Sequence, residues 1–489
     1  MIASTMNSVK RAYLSAGQEH LFKYWNELTD DERSSLMEQL SNIPDPAKFL
    51  QDVQNAMDYS SSISESREFE PLPKSTSYSS VLDSSKDTLE AWNNKGLELI
   101  AKSKVAVVLM AGGQGTRLGS CNPKGIYDVG LPSHKSLFQL QCERIIKLKQ
   151  LAASKSLKKD FQISLPLYVM TSCPTRVATE TFFVDHAYFG LPSGDVIFFN
   201  QGTLPAVSLD GKKFLLSSKS SLYQSPDGNG GFYKALHDNQ IVEDFEKRGI
   251  EHVHAYCVDN ILVKVADPVF LGYSALGNYQ VTTKVVRKSD PLEKVGLIVL
   301  DKNTQAPCVI EYSEITEQLS QKRDPTDAHL LYFRAANIVT HYYKVDFLKQ
   351  MVPEWISSRK HLPYHIAKKK INYLDSTSDS ILTPKEVNGL KMEQFIFDVF
   401  QSVKLDRFGC LEVDRSLEFS PLKNSSGTGF NCPETCRKDC LRRSTGWIIA
   451  NGGKVDTSDS LVEISPLTSY NGEGLEFSSG RIYKNEEII

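Results

Sequence analysis

The chain has 489 residues, 40% of them hydrophobic and 24% charged, with a formal net charge of −3. That is an ordinary globular balance, long enough for two or three domains around a substantial core. A charge so close to zero excludes general attraction to nucleic acid or anionic membrane, so any phosphate-binding cations must be local. Nine cysteines, an odd number in a chain of this length, fit a reducing compartment better than a disulfide framework. With no apolar leader in residues 1–21 and no run near the length of a membrane span, the expectation is a soluble, cytoplasmic, unprocessed protein with no obligate protein partner.

Residues 1–100 read as a helical N-terminal region. Leu21, Phe22, Trp25 and Leu28 recur at helix spacing, and Thr29 with Glu32 makes a capping box ahead of an amphipathic run holding Leu36 and Leu40. Residues 57–86 turn to Ser, Pro and charge and read as an extended connection, after which Leu89, Trp92, Leu97 and Ile100 restore the helix period.

Residues 105–125, VAVVLMAGGQGTRLGSCNPKG, are the stretch around which the rest of the chain is organised. The run from Val105 to Met110 is uninterruptedly apolar, as in a strand buried on both faces of a parallel sheet. Side chains then vanish at Ala111, Gly112, Gly113 and Gly115, which frees main-chain N–H groups to approach an anion, while Arg117 and Lys124 add cations suited to a triphosphate. Two familiar glycine loops are excluded. A P-loop ends in Gly-Lys-Ser/Thr, whereas Gly119 is followed by Ser120 and Cys121, and a dinucleotide fingerprint needs glycine where Leu118 stands.

Beyond the cradle, Leu137, Phe138, Leu140, Ile145 and Leu148 form a helical stripe. Strand candidates at 166–173, 196–199, 252–259, 280–286, 295–300 and 309–312 alternate with helices such as 175–189. The alternation predicts an α/β fold with a Rossmann-like, mainly parallel sheet over residues 101–403, whose ligands sit at the carboxyl ends of the strands. Residues 404–489 read as a small β-leaning C-terminal domain. By residue type alone Gln201 is either a uracil-edge partner or a solvated loop amide. Asp259 is either a Mg²⁺ ligand or a turn cap, and SPDGNGG at 225–231 is a dense turn signal. Cys432, Cys436 and Cys440 mark a helix face rather than a zinc site, and His361 and His365, at helix spacing, are read as structural.

The pattern L-x-x-G-G-x-G-T-R-L-G-x-x-x-P-K from Leu109 to Lys124 resembles the signature of eukaryotic UDP-sugar pyrophosphorylases, most closely the UDP-N-acetylglucosamine branch, and the likeness runs on to FSPLKN ending at Asn424. The resemblance implies a nucleotidyltransferase core. UTP would be bound by Met110, Ala111, Gly112, Gly113, Lys124, Gln201 at the uracil, Gly228, Asp259 and Lys391. Asn229, Gly296, Glu311, Tyr312, Asn337 and Lys423 would bind the sugar phosphate. Arg117 and Lys124 would be catalytic, and Asp259 would hold Mg²⁺. The implied reaction is in-line attack of N-acetylglucosamine 1-phosphate on the α-phosphate of UTP, releasing pyrophosphate and forming UDP-N-acetylglucosamine. The attacking phosphate is already ionised, so no general base is needed. A UDP-glucose or broad-range enzyme would keep the same chemistry; a non-catalytic sugar-nucleotide sensor would not need the cation pair.

Overall fold

The structure, a computed structural model, describes residues 2–62, 67–74, 76–155, 162–312, 314–375 and 377–489. The chain divides into two compact units rather than the three consecutive segments expected at 1–100, 101–403 and 404–489. One unit comprises Met1–Arg67, Gln201–Lys234 and Glu354–Val399; the other comprises Glu68–Asn200, Ala235–Pro353 and Phe400–Ile489. The reason is burial. The apolar faces of the helices Asp30–Ser41 and Pro46–Ser62, carrying Leu36, Leu40, Phe49 and Val53, close on Phe214, Tyr364, Leu390 and Met392 from later in the chain. The capping box forms as expected, with Glu32 N–H donating to Thr29 Oγ1 at 3.3 Å and Thr29 N–H to Glu32 Oε2 at 2.8 Å. The Leu21–Leu28 stretch, by contrast, is a short 3-10 turn at Glu19–Phe22 followed by turns. A small antiparallel sheet joins His365–Lys369, Gly389–Glu393 and Val207–Ser208 in this unit. His365 therefore lies in a strand and His361 in a turn, so their helix spacing reflects no helix.

The larger unit is built on a mixed, mostly parallel sheet with strand order Tyr78–Ser80, Phe408–Val413, Val281–Arg287, Ala335–Lys344, His252–Cys257, Val105–Met110, Leu167–Thr171, Val196–Asn200. Ala335–Lys344 alone runs against its neighbours along this path. The candidate at 309–312 corresponds to Ala306–Ile310, which hairpins with Leu297–Asp301 and ends before Glu311. Helix Leu137–Ala153 starts with Gln139 N–H donating to Ser136 Oγ at 3.2 Å and buries the predicted stripe. After residue 404 the β lean holds for the strand Phe408–Val413 and the short pair Lys454–Val455 and Ile482–Tyr483, while the longest element is the helix Pro433–Ala450. That helix buries Cys436 and Cys440 on one face, with Cys432 buried at its start, and all nine cysteines are free. Among the described residues no helix is long and apolar enough to cross a membrane.

Besides His254, which burial also holds well below its ordinary value, two histidines make this sheet pH-sensitive. Burial lowers His252 to about 4 and His341 to about 3 from an ordinary value of 6.5. Below that ordinary value the unfolded chain binds protons the folded chain refuses. The stabilisation is therefore full above it and is lost progressively as pH falls towards the folded values. At pH 5 each histidine should cost about 2 kcal/mol, from about 1.5 units at roughly 1.4 kcal/mol each. A melting midpoint that stays level between pH 7 and pH 5 would contradict this.

Candidate functional site

Val105–Met110 is buried along its whole length, and the main chain emerging from it is held by a few polar contacts. Ala111 N–H donates to Met170 O at 2.8 Å, and the Ser172 hydroxyl donates to Gly112 O at 2.7 Å. Lys124 N–H donates to Gly113 O at 3.2 Å and Gly115 N–H to Asn122 O at 3.0 Å, closing the segment between them into a loop. Gly119 turns that loop at φ +75°, a conformation costly for any residue with a Cβ. The N–H groups of Gly112, Gly113, Gln114, Thr116 and Arg117 donate to no protein acceptor among the described residues. Gly113, Gln114, Thr116 and Arg117 are exposed, while Gly112 is buried.

Lys124 sits in the 3-10 turn Lys124–Ile126, its side chain only 19% exposed. Its ammonium donates to Leu422 O at 3.2 Å and stands 3.9 Å from Asp259 Oδ2. Leu422 N–H in turn donates to Asp259 O at 2.8 Å. The 3.9 Å separation is longer than a charge-assisted hydrogen bond, so ammonium and carboxylate both keep capacity for a ligand. Arg117 and Lys423 are exposed and make no ion pair among the described residues.

Asp259, Asn337 and Lys423 line one cavity of 520 Å³, together with Arg415, Phe419 and Cys257. The backward run of Ala335–Lys344 explains Asn337: the start of that strand lies beside the end of His252–Cys257. A register shift against Val281–Arg287 bulges the strand there, with Val339 at φ +52°. Asn337 Oδ1 accepts from Val339 N–H at 3.0 Å and holds the bulge, the kind of strained backbone that collects at binding sites. Burial, aided by Asp259, pushes the Cys257 thiol up to about 12, so it is no nucleophile despite its place in the cavity. Gly296 accepts at its carbonyl from Asn337 N–H at 2.9 Å. A Cβ at Gly296 would stand 2.7 Å from Glu311 Oε1, so the bare α-carbon is what lets that carboxylate close in. Tyr312 is half exposed.

The remaining predicted residues lie in the smaller unit. Gln201, Gly228 and Asn229 are gathered around Asp227 and Gln394. Gln201 Nε2 donates to Asp227 Oδ1 at 3.2 Å, Gln394 N–H donates to Asp227 O at 2.8 Å, and Ile396 N–H donates to Asn229 Oδ1 at 3.0 Å. Gly228, at φ +87°, has Gln394 O 2.5 Å from where a Cβ would stand, so only glycine fits that turn. Lys391, on Gly389–Glu393, pairs with Glu393 at 3.0 Å.

Sequence reasoning missed the partners that hold these groups in place. Ser172 and Asn260 both stand just past the ends of strands, and that position was the signal available. The acceptor role of Leu422 O had no sequence signal, because a carbonyl belongs to every residue type. Among the described residues no group of three or more His, Cys, Asp and Glu is placed to hold a metal. Asp259 shares its cavity with Asp290 and Glu293, but Glu293 is paired with Arg415 at 2.8 Å and Asp290 accepts from Leu292 N–H at 2.9 Å, so Asp259 is the carboxylate best able to serve a hard cation that takes its other ligands from substrate phosphates and water.

Unpaired amides at the carboxyl end of a buried parallel strand, with cations beside them, make an anion cradle of the kind nucleotidyltransferases use. The chain belongs to the UDPGP family, described as UTP–glucose-1-phosphate uridylyltransferase, which it matches over residues 47–460. It is 49% identical over 490 residues to the UDP-N-acetylglucosamine pyrophosphorylase of Saccharomyces cerevisiae, covering 99% of both chains. The solved uridine diphosphate N-acetylglucosamine pyrophosphorylase of Trypanosoma brucei, in complex with an inhibitor, superposes with a TM-score of 0.82 at 28% identity, over 97% of this chain and 94% of that one. A solved UDP-glucose pyrophosphorylase mutant from Leishmania major shares the fold at a TM-score of 0.57 and 15% identity, over 82% and 76%.

Proposed function

We propose that this protein transfers the uridylyl group of UTP to N-acetylglucosamine 1-phosphate. A phosphate oxygen of the sugar phosphate bonds to the α-phosphorus, the bond to the β-phosphate breaks, and pyrophosphate leaves. The observation that carries this reading is near-half identity along the full length to an enzyme named for that product, whereas the UDP-glucose enzyme of Leishmania is similar in fold alone.

Free amides at Gly112 and Gly113, with Arg117 and Lys124, would stabilise charge on the triphosphate as it migrates to the leaving pyrophosphate. Lys423, on the cavity that Asn337 also lines, would neutralise the incoming monophosphate, since two polyanions otherwise repel. Gly296, Glu311 and Tyr312 keep their sugar-side roles by resemblance. In the smaller unit Gln201, Gly228, Asn229 and Lys391 likewise keep their uracil, nucleotide, sugar and phosphate roles. Asp259 would hold Mg²⁺, which when bound supplies positive charge to the phosphates. The free cysteines fit a cytoplasmic location.

The test is pyrophosphate release from UTP with N-acetylglucosamine, N-acetylgalactosamine and glucose 1-phosphates, each with magnesium and with a chelator. N-acetylglucosamine 1-phosphate should turn over fastest, and only with magnesium. Faster turnover of glucose 1-phosphate would overturn the choice of sugar.

A further inference from the structure

Asn260 comes directly after Asp259, is 4% exposed, and has both ends of its carboxamide engaged. Nδ2 donates to Glu418 O at 2.7 Å, while Oδ1 accepts from Ser420 N–H at 3.0 Å and from Leu262 N–H at 3.2 Å. Main-chain bonds continue the seam: Ile261 N–H donates to Ser420 O at 3.2 Å and Leu422 N–H to Asp259 O at 2.8 Å. Residues 418–423 thus form a strap laid against the turn that carries Asp259. The strap supplies the Leu422 carbonyl that receives Lys124, and it carries Lys423. Its far end is fixed by charge: the Glu418 carboxylate pairs with the buried Lys284 and, at 3.2 Å, with Lys264.

We infer that Asn260 is a positioning residue for the transfer reaction, the clip that sets Lys124 and Lys423 in register with Asp259. This rests on the proposed reaction. Only an amide serves, because one end must donate to a carbonyl while the other accepts from N–H groups, and at this burial water cannot replace either partner. A carboxylate of the same shape would turn an acceptor towards Glu418 O, break that bond and let the strap shift. Both cations would then move together relative to Asp259.

The test is Asn260→Asp, assayed by pyrophosphate release after wild-type turnover has been established. Absence of wild-type release would sink the proposed reaction rather than the clip. Expected is a kcat roughly 10- to 30-fold lower, part of the 10²-fold that a misplacement of about 1 Å costs, with both KM values changed less than about threefold. In a Lys124→Ala background the same substitution should cost a distinctly smaller factor than in the wild type, because one of the two cations it positions is already gone. A general weakening of the fold would give the same factor in both backgrounds. If N260D melts below the assay temperature, Asn260→Ser, too short to bridge strap and turn, carries the same comparison. A kcat within about twofold of wild type, or equal factors in the two backgrounds, overturns the inference.

Discussion

Replacing Lys124 with alanine should lower kcat for uridylyl transfer by about 10²- to 10³-fold, the cost of losing one preorganised electrostatic donor in a catalytic site. Geometry makes Lys124 the cation to remove first. Among the described residues its ammonium reaches the Leu422 carbonyl, at 3.2 Å, and the Asp259 carboxylate, at 3.9 Å, so much of its hydrogen-bonding capacity is left for a phosphate. Stability should change little, by about 1 kcal/mol or less, because one hydrogen bond and one loose ion pair are lost at a partly exposed position. Lys124→Arg should not restore the rate, since a planar fork cannot stand in for a compact ammonium between a carbonyl and a carboxylate. Steady-state pyrophosphate release at saturating UTP and sugar phosphate measures both. Near wild-type turnover in the alanine variant would remove Lys124 from the mechanism, whatever its place in the structure.

The parts of this site that could be read in advance are those whose cause lies within a few residues. The burial of Val105–Met110, the bare backbone after it and the Thr29–Glu32 capping box all arise from neighbours in sequence, and all stand in the structure. What escaped was set by distant pairing. Nothing in AANIVTHYYK says that it enters the sheet backwards, yet that direction is why Asn337 shares a cavity with Asp259. The helices before residue 63 read as part of an N-terminal region of their own because their apolar faces find their partners, Phe214 and Tyr364, far along the chain. His361 and His365 mislead for the same reason: i,i+4 spacing suits a helix, but pairing with Glu393 draws His365 into a strand. Asn260 stood in plain view beside Asp259, and its role depends on a strap more than 150 residues away that only tertiary structure brings to it.

Gly125→Ala should be nearly as damaging as removing Lys124, and for a reason of space rather than charge. A Cβ at Gly125 would lie 2.2 Å from Cζ of Phe138 and 2.3 Å from its Cε1, far inside van der Waals contact. Phe138 cannot retreat: it is fully buried, with the Phe183 ring 5.1 Å away edge-on and Phe182 at 6.4 Å. The turn Lys124–Ile126 must therefore lift off the ring and take Lys124 with it. Overpacking of this kind costs about 1–3 kcal/mol, and moving the ammonium by about 1 Å costs about 10²-fold in rate, so both melting midpoint and kcat should fall. A second substitution separates displacement from mere damage. Phe138→Leu removes the ring atoms that the new methyl meets; alone it should lower stability through the cavity it leaves while sparing most of the rate. Combined with Gly125→Ala, it should recover kcat at least about tenfold over the single variant as Lys124 settles back towards Asp259. A Gly125→Ala enzyme with wild-type kcat, or a double variant no faster than the single, would show that the ring does not seat the lysine.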